Sequence, residues 1–126
     1  MTKVGWQIEN FIDQVREAVT ALPADLFARY VAIIRRLEAG ADPRDLGDDS
    51  KPMGDGLFEF RLQGKQTIGR VFHGCSKGQV MIVVHSIVKK TQATPLKVKD
   101  LELARERLRE WKAKRDQEDA DGKSKR

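Results

Sequence analysis

Apolar residues recur every three or four positions between residues 10 and 40, then alternate or run together between residues 57 and 88. The first spacing predicts helices and the second strands. Ahead of both, Trp6 and Ile8 alternate with Gln7 and Glu9, which predicts a short strand over 5–9. Asn10 is placed to cap a helix reaching Leu22, with Ile12, Val15, Val19 and Leu22 on one face. Pro23 suits the first turn of a second helix, because its missing N–H has no intrahelical partner there. That helix carries Leu26, Phe27, Tyr30, Val31, Ile34 and Leu37 toward a core, and Gly40 ends it. Residues 41–56 are rich in Asp, Gly and Pro and read as a long loop.

Three strands follow. In LFEFRL (57–62), Phe58, Phe60 and Leu62 point one way while Leu57, Glu59 and Arg61 point the other. The turn QGKQ (63–66) leads to TIGRVFHG (67–74), and CSKG (75–78) leads to VMIVVHSIV (80–88). The last strand is apolar on both faces, as a central strand covered by helices would be. The short turns make the three an antiparallel meander. After KKTQATP (89–95), residues 96–115 form a third helix with a narrow stripe of Leu101, Ala104, Leu108 and Trp111. The expectation is an α+β domain over 1–115 and a charged, flexible tail over 116–126.

At 126 residues with 40% hydrophobic content, the chain holds a core without staples. One cysteine, Cys75, and two histidines exclude a disulfide scaffold and a zinc module of standard spacing. Charged residues within the first 20 and the lack of a long apolar run predict a cytoplasmic protein with no membrane contact. The net charge of +5 is uneven: −3 over residues 1–55, +3 over 56–88 and +5 over 89–126. A basic second half favours a polyanionic partner. A solvated charged helix explains the same numbers.

Candidate chemistry lies on the polar face of the meander. Glu59 and Arg61 share the first strand, Arg70 sits among apolar neighbours in the second, and His85 interrupts the third, with Lys89 and Lys90 at its end. Brought together, these residues make a metal-free phosphodiester site physically possible. RNA supplies its own 2′-hydroxyl nucleophile, so a protein need only take a proton and neutralise developing phosphate charge. Glu59 and His85 are candidate proton acceptors, with His73 a third; Lys89, Lys65 and His73 are expected RNA contacts. No carboxylate cluster suggests paired metal ions. The plainer alternative treats Glu59 and Arg61 as a cross-strand surface charge set, Arg70 as a partner of Glu59 for structure alone, and His85 as a satisfied core residue.

The blocks GLFEFRL, GRVFH and VVHSIVKKTQATP, followed by a Leu- and Arg-rich helix, resemble the phage-derived HigB-like branch of the RelE toxin superfamily. The resemblance spans residues 5–112, including WQIE and ALPADL. It implies a strand–helix–helix–three-strand–helix fold in which the first strand joins the antiparallel sheet. It also implies the toxin of a type II toxin–antitoxin pair, a ribosome-dependent endoribonuclease that cuts mRNA. Arg61, Arg70 and Lys90 match the family's basic site positions, Glu59 falls where members carry a lysine or an acid, and His85 matches the HigB-like branch. The implied partners are a helix-turn-helix antitoxin, the ribosome and mRNA, with no cofactor and no small-molecule substrate. His73 stands where many relatives have tyrosine, and the one tyrosine, Tyr30, lies on a predicted helix. A non-catalytic nucleic-acid-binding or phage accessory protein on the same fold is the competing reading, and a purely protein-binding component a third. The low aromatic content, 6%, argues against base stacking on the meander.

Overall fold

The computed structural model describes residues 5–90 and 97–124. In chain order these form β1 (Gln7–Asn10), α1 (Asp13–Thr20), α2 (Ala24–Glu38), β2 (Ser50–Gly54), β3 (Leu57–Gln63), β4 (Ile68–Ser76), β5 (Val80–Lys89) and α3 (Val98–Ser124). The α+β class and the central meander are as expected. The five strands form one sheet in the order β1-β5-β4-β3-β2. Helices α1 and α2 cover one face and α3 the other. Among the described residues, no helix is long and apolar enough to cross a membrane. Residues 91–95, most of the expected loop after β5, lie outside the described residues.

Each face of the sheet builds its own core. Phe60, Leu62, Val71, Met81 and Val83 pack against Val15, Val19, Leu26, Ile33 and Leu37 of the first two helices. Leu57, Phe72, Ile82 and Val84 pack against Ala104 and Leu108 of α3. Gly74 belongs to this second face: a Cβ there would collide with Leu108 Cδ1, so α3 sits close against the strand only because the side chain is missing.

The structure departs from the expectations in four places. Asn10 does not cap α1. It ends β1, paired with Val83, and the extended residue before the helix is Ile12, with no side-chain cap. β1 joins the sheet parallel to β5, which the long connection between them, through two helices and three strands, permits, so the sheet is mixed rather than antiparallel. The expected loop over 41–56 contains two short 3-10 turns, at Pro43–Asp45 and Gly47–Asp49, and the edge strand β2. Pro52 is tolerated there because an edge strand has one unpaired side, and Gly54, Asp55 and Gly56 supply the positive φ values of the turn into β3. Finally, α3 continues past the expected end at residue 115 to Ser124, through a segment with no proline.

Candidate functional site

A bulge in β5 decides which side chains share a face. Phe72 pairs with His85 while His73 pairs with Val83, so Val84 is the extra residue. Strict alternation from Met81 and Val83 would have put His85, Ile87 and Lys89 under α1 and α2. The extra residue turns them to the α3 side, which also carries Glu59, Arg61 and Arg70. A bulge leaves a backbone group without its ladder partner. Here Arg107 of α3 donates from Nη1 to the Val84 carbonyl at 2.7 Å, and its guanidinium lies 5.7 Å over the Phe11 ring.

Arg61 and Arg70 stand directly opposite each other on β3 and β4. Like charges so placed repel, and Glu59 lies between them. Its Oε1 accepts from Arg70 Nη1 at 2.7 Å and lies 3.7 Å from Arg61 Nε. The Glu59 side chain is 0% exposed, Arg70 is nearly as deep, and Arg61 keeps 35% exposure. The carboxylate expected on the surface beside Arg61 is therefore buried, and Arg70 pairs with it as the structural alternative has it. Removing one member of such a pair typically costs about 3–5 kcal/mol, because the other is left charged and alone. Glu59 Oε2 and Arg70 Nε are both buried without a partner. Lys89 is buried in the next row toward the strand end, and burial, then the nearby Arg70 charge, lowers its ammonium below the usual lysine range. Asp100 also acts on Lys89, so the three cations face two carboxylates and the cluster keeps only a small surplus of positive charge.

His85 lies one row above, opposite Phe72, whose ring is nearly parallel to the imidazole at 6.1 Å. Its Nε2 is 2.8 Å from Oδ1 of Asp100, in the first turn of α3. A pocket of about 270 Å³ lined by Asp48, Asp49, Arg61, Gln63 and Ile68 adjoins the cluster. Of its two aspartates, Asp49 is paired with Arg36 at 3.3 Å.

The structure thus brings together Glu59, Arg61, Arg70, Lys89 and His85. Three other expected residues lie elsewhere. His73 is 0% exposed in the opposite core layer, stacked 3.7 Å from Phe60, and cannot touch RNA from there. Burial pushes its imidazole down to about 3, so it stays neutral. Lys65 is exposed in the turn after β3, where its backbone N–H donates to Asp25 Oδ2 at 2.9 Å. Lys90 is exposed just past β5. Tyr30 is buried under α2, with its phenol pushed up to about 12, chiefly by burial. Cys75, half-buried, is raised to about 11 by burial and is a poor nucleophile. Among the described residues, no three His, Cys, Asp or Glu side chains converge as a metal site. Asp100 and Arg107 are the participants that sequence reasoning missed. Neither has a local motif, and both act on positions set by the bulge.

No curated protein matches the chain. Among solved structures, a chain of the archaeal RelE–RelB complex from Pyrococcus horikoshii OT3 is similar at 18% identity, with a TM-score of 0.47, over 75% of this chain and 100% of the other. A model of the family described as "phage derived protein Gp49-like" matches residues 17–109, a stretch that includes the whole cluster from Glu59 to Arg107. The chain therefore belongs to the phage-derived Gp49-like protein family.

Proposed function

We propose that the protein is the toxin of a type II toxin–antitoxin pair, of the HigB-like RelE type, and a ribosome-dependent, metal-independent endoribonuclease. The observation that carries this reading is the group of Arg61, Arg70 and Lys89 around one buried carboxylate, with a partly exposed histidine on the same sheet face. Arg61 and Arg70 stabilise charge on the scissile phosphate, and the low-dielectric floor beneath them strengthens that effect. Lys89 adds positive potential from below. Glu59 holds the two guanidiniums in place, and so enclosed it has no path to a substrate proton.

His85 is then the proton carrier. It accepts the 2′-hydroxyl proton as the 2′-oxygen attacks phosphorus. The 2′-O–P bond forms and the P–O5′ bond breaks with its electron pair, and the 5′-oxygen takes a proton from water. The products are a 2′,3′-cyclic phosphate and a 5′-hydroxyl end, and His85 returns its proton to solvent. Lys90 and Lys65, both exposed, are proposed to contact the RNA or ribosome backbone. The proposed partner that silences the protein is a helix-turn-helix antitoxin, and the setting is the cytoplasm.

Induced expression in bacteria is expected to arrest growth and yield mRNA cut within translated codons. Cleavage on isolated ribosomes should survive chelation of divalent ions at levels that leave the ribosome intact. Normal growth with verified folded protein would refute the toxin reading. Growth arrest without cut mRNA would favour a binding protein on the same fold.

A further inference from the structure

We propose that Asp100 is a positioning residue for His85, fixing the imidazole so that Nδ1 is the atom that takes the proton. The proposal rests on the endoribonuclease reading above and adds a residue to it. A carboxylate only accepts hydrogen bonds, so at 2.8 Å the Nε2 of His85 carries the hydrogen and Asp100 Oδ1 receives it. In neutral His85 the lone pair is then on Nδ1. When Nδ1 takes up a proton, the imidazolium formed faces a carboxylate already in place, which is the role a buried acid plays in a hydrolase triad. The two side chains are 19% and 25% exposed, sheltered enough for the bond to persist and open enough for a substrate to approach.

Three features of the fold converge on this pair. The bulge at Val84 turns His85 to the α3 side. Arg107 holds the bulge carbonyl and Arg105 holds the Met53 carbonyl at 2.6 Å, so α3 is tied at both β5 and β2. Asp100 sits in the first turn of that helix, where the backbone dipole favours a negative charge. The other proton carriers offered by the sequence are out of reach: Glu59 is enclosed by arginines, and His73 and Tyr30 are in the opposite core.

The test is a double-mutant cycle on single-turnover cleavage by programmed ribosomes at saturating protein, with folding checked by circular dichroism. Asp100→Asn, which keeps shape and removes charge, should lower the maximal rate by on the order of 10²-fold, the lower end of what acid–base catalysis contributes. The protein concentration giving half-maximal rate should not move. In a His85→Ala background, the same substitution should have no further effect. Equal losses in both backgrounds, or a wild-type rate for Asp100→Asn, would overturn the proposal. NMR of protein labelled with ¹⁵N in histidine supplies a readout independent of cleavage. The His85 Nε2–H should give a slowly exchanging, downfield proton signal that is absent in Asp100→Ala. If the wild-type chain cuts no RNA, the endoribonuclease reading fails. The NMR signal then decides on Asp100 alone: its presence upholds the positioning role, and its absence removes it.

Discussion

Glu59 and His73 are both polar, both fully buried and one pair row apart in the sheet, yet they do opposite things. Glu59 is met by two arginines. His73 has a weak 3.4 Å hydrogen bond from Nδ1 to the Val71 carbonyl and a buried, unpartnered Nε2, so it is held neutral between aromatic rings. This makes a pH dependence with a definite sign. The folded state keeps His73 unprotonated down to about 3, whereas the unfolded chain takes up a proton below about 6.5. The unfolded state therefore binds the extra proton between those values, and stability falls as the pH drops from about 6.5 toward about 3. His73→Phe should remove this contribution. Urea unfolding at pH 8 and pH 5 should show the wild type losing more stability than the variant, by up to about 1.4 kcal/mol per pH unit. Parallel losses would mean that His73 protonates in the folded protein.

Helices α1 and α2, the three meander strands and the start of α3 were legible because each has a clear apolar period and local breakers. β2 was missed because Ser50–Gly54 has no alternation, although the Asp55-Gly56 pair is itself a hairpin signal. The polar residues of the site were legible as residue types, and their grouping was not. Reading β5 by alternation gives no hint that Val84 is doubled against its neighbour, and without that step His85 and Arg70 face opposite ways. The element that enforces the step is α3. Arg107→Ala should leave the Val84 carbonyl unpaired at a cost of about 1–3 kcal/mol. Amide hydrogen exchange should quicken at 84–86, while Arg109→Ala, at an exposed position, should change neither. Unchanged exchange in Arg107→Ala would mean the bulge is stable without its clamp.

On the scale of the whole molecule, a sheet sandwiched between two helical layers supplies two cores, and α3 contributes to only one of them. Its apolar contacts end near Trp111, and residues 116–119 are exposed. We propose that the exposed end of α3, residues 116–119, adds nothing to the stability of the domain. A chain ending at Arg115 should unfold within about 0.5 kcal/mol of the full protein in urea, as changes to uncommitted surface do. A larger loss would place the end of α3 inside the cooperative unit. The parallel pairing of β1 with β5 has a further consequence, in time rather than space. The first strand has no neighbour until residues 80–83 exist to meet it, and His85 has no carboxylate until Asp100 follows. Pairing at so large a sequence separation is slow and comes late in folding. On the proposed function, a nascent chain lacks a complete site until Asp100 has been made and has met His85. The interval before it acquires activity is the interval in which an antitoxin made alongside it has its chance to bind.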